Sequence, residues 1–232
     1  MELWLFLLRW IHFLAGITWI GILYYFNFVQ TPFFAEAEPG VRSAAIQKLV
    51  PRALWWFRWG AMFTFLAGIL MYIHLLIPTG SVWFTTNQGV AITIGGLLGT
   101  IMFLNVWLVI WPAQQVVIAS ATQVAKGGQA LPDAAARGRR AALASRTNTV
   151  FSIPMLFYMG AASHFSGLVG QTTGSAATSL LIVAAIIMGA VEVNALVGTQ
   201  GPTKKPLDSV SGALWTGFIL SAVLYAVVKV LA

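Results

Sequence analysis

Six apolar runs, at about residues 3–28, 54–77, 88–111, 146–165, 178–197 and 211–231, dominate this chain of 232 residues. Each is long enough to cross a bilayer, because about 20 helical residues at 1.5 Å apiece span a hydrocarbon core of about 30 Å. Lipid offers no partner to backbone N–H and C=O groups, so such runs can cross only as helices or as a closed barrel. Their length rules for helices. The expected fold class is therefore all-α: a polytopic membrane bundle of six transmembrane helices in one domain over residues 1–232. Composition agrees. The chain is 59% hydrophobic and 8% charged, too few charges to coat a soluble domain. The first run begins directly after Met1 and Glu2 with no basic flank, which predicts a retained helix and not a cleaved leader.

The connections alternate in charge. Arg42, Lys48 and Arg52 fall in the first, Lys126, Arg137, Arg139 and Arg140 in the third, Lys204 and Lys205 in the fifth. Arg58 and Arg146 lie at the same ends of their helices, which places eleven of the thirteen Lys and Arg on one side. The second and fourth connections, residues 78–87 and 166–177, carry no charge. Lys and Arg favour cytoplasmic loops, so this pattern predicts cytoplasmic odd loops and two periplasmic termini. It also accounts for the net charge of +7 as a topology signal, without nucleic acid as a partner. Residues 112–145 predict a helical hairpin projecting into the cytoplasm, broken at Gly127–Gly128 and reopened at Pro132. Residues 41–50 predict a short interfacial helix, stopped by Pro51. No internal repeat stands out.

The chain has no cysteine. That excludes disulfides, iron–sulfur clusters, thiolate metal sites and the C-x-x-C-H attachment of c-type haem. Serine-nucleophile, P-loop, dinucleotide-binding and metalloprotease signatures are missing too. Three histidines remain as metal donors. His12 lies about 13 Å along the first helix by helical rise. His74 and His164 fall near the outer ends of the second and fourth. All three therefore share the outer half of the membrane, on three helices. Gly16 and Trp19 follow His12 at one and two turns, and Gly60, Thr64, Ala67 and His74 form one stripe. Imidazoles from facing helices hold haem iron in many bundles. The plainer alternative is three interior histidines, each hydrogen-bonded to a carbonyl or hydroxyl.

A second cluster lies toward the cytoplasm: Asn27, Arg52, Arg58, Asn105, Arg146, Asn148, Glu192 and Asn194. Glu192 is the single acid expected within a span, and a buried carboxylate needs compensation, so Arg58 or Arg146 is its expected partner. The cluster reads either as a pocket for a small anion or quinone, or as a salt bridge that sets helix register. Trp55, Trp56, Trp59 and Trp111 near the inner interface and Trp83 near the outer read as aromatic belts.

Several stretches resemble a known family. Residues 9–21, RWIHFLAGITWIG, with Tyr24-Tyr25-Phe26-Asn27-Phe28, resemble the opening of the membrane-bound urate oxidase (urate hydroxylase) N-terminal domain family. Residues 51–60, PRALWWFRWG, are similar to its second block, Asn105-Val106-Trp107 with Ile110-Trp111-Pro112 to its third, and residues 145–149 and 152–157 to its fourth. The first block is similar also to the bacterial membrane protoporphyrinogen oxidase family. The urate oxidase resemblance implies a bacterial inner (cytoplasmic) membrane domain. In many relatives a C-terminal cytochrome c carries electrons from urate to the respiratory chain. This sequence ends at Ala232 without a haem c motif, so the expectation is a membrane domain lacking that module. The resulting expectation is a haem b-binding redox protein, its iron held by His12 and His164 with His74 as alternate. It passes electrons to a separate cytochrome c or a larger complex. The alternative is a non-catalytic accessory subunit of a respiratory or photosynthetic complex.

Overall fold

The structure, a computed structural model, describes residues 3–170 and 172–232. No strand occurs among the described residues. The helices in chain order are α1 (Leu3–Glu36), α2 (Pro39–Lys48), α3 (Val50–Thr79), α4 (Asn87–Ala125), α5 (Ala134–His164), α6 (Gly174–Leu196) and α7 (Val210–Leu231). Short 3-10 turns, Gly80–Thr85 and Pro202–Asp208, lead into α4 and α7. Hydroxyls cap the next helices: Thr86 Oγ1 accepts from the Gly89 amide at 2.9 Å and Ser209 Oγ from the Gly212 amide at 3.0 Å. Both glycines are required by space, because a Cβ at Gly89 falls 1.7 Å from the Trp83 carbonyl oxygen and one at Gly212 falls 2.3 Å from that of Pro206.

Two helices carry a π-helical stretch, Tyr25–Gln30 in α1 and Asn105–Ile110 in α4. Each ends two residues before a proline, Pro32 and Pro112. A proline ring clashes with the carbonyl four residues back and supplies no N–H to it, so the turn upstream widens to i→i+5 bonding. Asn27 and Asn105 sit in these widened turns, both buried. Pro51, read from sequence as a stop, instead occupies the first turn of α3, where its missing N–H is not needed. The break between α2 and α3 falls at Leu49.

The bundle is built around α5. Six consecutive residues, Thr147 to Ser152, are each 0% exposed, which a helix achieves only when it is covered on every side. Its principal neighbours are α4 and α7, with α6 and α1 completing the ring. Gly217 lets α7 close on α5, since a Cβ there lies 2.9 Å from the Val150 carbonyl oxygen. The most extensive partner of α1 is α3. A Cβ at Gly60 lies 3.1 Å from the Trp19 amide nitrogen and 3.2 Å from the Ala15 carbonyl oxygen, so the two backbones nearly touch. This pair joins the rest through Phe65 stacked on Phe103 at 4.2 Å. The Tyr24 hydroxyl adds a bond to Ser152 Oγ at 2.9 Å.

Five helical stretches are long and apolar enough to cross a membrane: Leu3–Glu36, Val50–Thr85, Asn87–Ala125, Gly174–Leu196 and Val210–Leu231. Their outward faces carry large apolar side chains such as Phe6, Phe13 and Ile17 on α1, which suits lipid contact. The chain is a multi-pass membrane protein. The sequence predicts six crossings, and α5 is the helix outside the five. Its Thr147, Asn148, Thr149 and Ser152 lower its apolarity, but all are turned into the protein.

Candidate functional site

His12 lies half-buried on α1 against α3. Its Nδ1 donates to the Thr64 carbonyl oxygen at 2.8 Å. Thr64 is itself buried and donates its hydroxyl to the Gly60 carbonyl oxygen at 2.7 Å. The ring lies flat enough on α3 that a Cβ at Gly68 falls 3.1 Å from its Cε1. The bond fixes the tautomer: the proton sits on Nδ1, and the Nε2 lone pair is left as a donor. The small stripe of α3 thus serves close approach of α1, and a Cβ added at Gly16 would lie 3.8 Å from Thr64 Cγ2.

The other two histidines are placed apart from His12. His74, near the end of α3, meets Trp4 edge-on at 5.3 Å. His164 is exposed as the last residue of α5. No group of three or more metal-ligating side chains forms among the described residues.

In the inner cluster the structure joins three side chains from three helices. One side-chain amide, Asn105 Nδ2, donates to Glu192 Oε2 at 3.0 Å and to Asn148 Oδ1 at 2.9 Å. Asn148 Nδ2 then donates to the Met102 carbonyl oxygen at 2.9 Å, beside the π-helical turn of α4. Asn148 is completely buried and Asn105 nearly so. The expected arginine partner of Glu192 is absent: among the described residues the ion pairs are Arg137–Asp133 and Arg139–Asp208, and neither involves Glu192. One amide donor, Asn105 Nδ2, meets the carboxylate where a cation was expected.

The arginines are engaged elsewhere. Arg58 stands in an aromatic box, its guanidinium carbon 3.9 Å from the Trp111 ring centre, 5.2 Å from Trp107 and 5.5 Å from Trp59. Among the described residues, buried Arg58 Nε has no hydrogen-bond partner, nor does buried Arg146 Nη1. Arg52 is exposed. Asn27 turns to the Leu23 carbonyl oxygen and to Ser145 Oγ, both at 2.8 Å, and so ties α1 to α5. Asn194 lies beyond the Glu192 group, bonded to the Thr203 carbonyl. The box was not read from the sequence, where Trp59 and Trp111 look like part of an interfacial belt and Trp107 is not among them. Its one signal is an arginine at the depth of Trp59 and Trp111.

The model of the urate oxidase N-terminal family matches residues 76–228. That stretch holds Asn105, Asn148, Glu192 and His164, and leaves α1, α2 and most of α3 outside. No curated protein and no solved structure matches the chain.

Proposed function

The chain belongs to the urate oxidase N-terminal family, and from that premise we propose that it is a haem b-binding redox protein of the bacterial inner membrane, passing electrons to a periplasmic cytochrome c or to a larger membrane complex. The observation that carries the reading is the His12–Thr64 bond of 2.8 Å, which in a neutral imidazole holds the proton on Nδ1 and leaves Nε2 as the lone-pair nitrogen. This is the donor state that a haem ligand requires. His164 would be the second donor and His74 the alternate. A bound haem b supplies one-electron chemistry. The protein's part is to hold His12 in one tautomer and orientation through Thr64 and Gly68, and to keep the surroundings apolar. The polar group at Asn105, Asn148 and Glu192 fixes α4, α5 and α6 at the other end.

The proposal includes six crossings with both termini periplasmic. Support comes from α5, which is 31 residues long and ringed by the helices that are apolar enough to span. It comes also from the basic residues gathered at one side. Reduced-minus-oxidised spectra of the protein purified from its native membrane test the redox reading. A Soret band that follows the chain supports it, and its absence under ample haem overturns it.

A second reading, an accessory subunit without catalysis, is favoured by the separation of the three histidines. It expects a colourless chain that is stable only with its partner complex. Urate oxidation belongs to the first reading alone, and since residues 1–232 hold no cysteine for a c-type haem, electrons would leave this membrane domain for a cytochrome outside it.

A further inference from the structure

A cleft of about 410 Å³ opens where the start of α5 meets the connection from α6 to α7. Arg139, Lys204, Lys205 and Asp208 line it, with the turn at 200–202 as its wall. The single carboxylate is already matched: Arg139 Nη2 lies 2.8 Å from Asp208 Oδ1. Arg139 is also held by its Nε, which donates to the Thr199 carbonyl oxygen at 3.1 Å. Two lysines are left without an acid.

Lys204 is the unusual one. It is 2% exposed, and lysine is seldom so buried without a counter-charge. Its ammonium has three protons to donate. Among the described residues the one hydrogen-bond partner of its ammonium is Asn194 Oδ1, at a long 3.4 Å. Burial, aided by the charge of Arg139, pushes this ammonium below the usual lysine range. An anion in the cleft would oppose that shift, because an opposite charge close by favours the charged ammonium. The cleft also lies at the ends of two membrane-crossing helices, α6 and α7, the level at which phospholipid headgroups sit.

We infer that this cleft is a binding site for a phosphate-type anion, either a free phosphate or the headgroup of an anionic phospholipid, with Lys204 and Lys205 as its cationic donors and the Asp208-anchored Arg139 as its fixed wall. A phosphate offers several acceptor oxygens to the lysine protons that lack partners. Basic pockets beside transmembrane helices hold anionic headgroups on the same principle. The inference is independent of the redox reading.

The test uses the full chain and reads its thermal unfolding midpoint, which rises with any ligand that binds the native state. One arm titrates inorganic phosphate against chloride at fixed ionic strength. The other compares nanodiscs of phosphatidylcholine with nanodiscs containing phosphatidylglycerol. A rise with phosphate alone identifies a soluble anion site, and a rise confined to phosphatidylglycerol identifies a headgroup site. Lys205→Gln, on an exposed side chain, should weaken the binding about fivefold, as expected for about 1 kcal/mol per basic residue. Lys204→Gln should do the same, and Lys205→Gln carries the test if that variant does not fold. Lys126→Gln removes an equal charge from a different cleft, bordered by Thr122 and Gln123, and should bind as the wild type does. No rise with either probe, or a rise that Lys205→Gln leaves unchanged, overturns the inference.

Discussion

The side-chain amide of Asn105 reaches the carboxylate of Glu192 at 3.0 Å, and the pair is completed by an asparagine, not by an arginine. This decides how the two residues respond to substitution. Glutamine at 192 keeps an acceptor for Asn105 and breaks no ion pair, so Glu192→Gln should leave the unfolding midpoint within a few degrees of wild type. Asn105→Ala strips the donor from Glu192 and from the buried Asn148 oxygen together. It should cost about 1–3 kcal/mol per acceptor left unsatisfied. Thermal unfolding of both variants in the same detergent is the measurement. A collapse of Glu192→Gln would reveal a cation near the carboxylate.

Arg58 gives a second contrast. Its guanidinium faces three indole rings, and cation–π contacts contribute about 0.5–2 kcal/mol depending on desolvation. Arg58→Lys keeps the charge but loses the planar group that stacks on Trp111. Both Arg58→Lys and Arg58→Leu should therefore lower stability, the leucine variant more. A shift in tryptophan emission should accompany the loss. Equal stability in all three proteins would show that the box is a passive belt.

How much of this was legible beforehand depends on what each signal encodes. Apolar length and loop charge report on crossing and side, and both are one-dimensional properties of sequence. Depth follows too, because rise per residue is fixed. Direction around the helix does not. Arg58 and Glu192 have comparable depth, yet Arg58 turns to Trp111 and Glu192 to Asn105. The widened turns at Asn27 and Asn105 also shift the phase of every residue after them, and their cue is only a proline downstream, at Pro32 and Pro112. In α5, Thr147, Asn148, Thr149 and Ser152 are polar inside a run read as a crossing, and the structure places all four out of reach of lipid. The stripe of Gly60 and Thr64, by contrast, was legible from its spacing as a surface either for close helix approach or for a flat cofactor, and at Gly60 the backbone of α1 fills it.

That stripe supports a third prediction. A side chain at Gly60 meets the backbone of α1, at the Trp19 nitrogen and the Ala15 oxygen, and backbone cannot step aside as a flexible side chain can. Gly60→Val should force α1 away from α3 and cost about 1–3 kcal/mol. Gly21→Val is the control on the same helix pair, because a Cβ at Gly21 has no neighbour within 4 Å. Unfolding midpoints that fall equally for the two would remove the close-approach argument.

Topology can be read directly, since the chain has no cysteine of its own. Single cysteines at Ser81 and at Gln129, both exposed, should label from opposite faces of intact membranes. Gln129 is expected in the cytoplasm and Ser81 in the periplasm. Labelling of both by an impermeant periplasmic reagent would eliminate the six-crossing arrangement with both termini outside.

The histidines offer the sharpest separation between a redox protein and an accessory subunit. If His12 holds haem iron, His12→Ala removes an axial donor that no neighbour can replace, and the purified protein should lose its Soret band. Gly68→Ala is the more informative variant. It keeps the ligand but places a methyl about 3.1 Å from the ring carbon Cε1, so the imidazole must tilt while its bond to Thr64 strains. The expected outcome is partial haem retention with an altered spectrum, which a fold that ignores haem would not produce. His164→Ala should abolish retention or leave a high-spin form, because one axial position then lacks nitrogen. His74→Ala, whose ring contact is with Trp4, should leave the spectrum unchanged where His164 is the second ligand, and should take over the His164 phenotype where it is not. Under the accessory reading the wild type itself is colourless, and the four variants differ only in stability. A coloured wild type whose spectrum survives His12→Ala intact would place the iron elsewhere and remove His12 from the site.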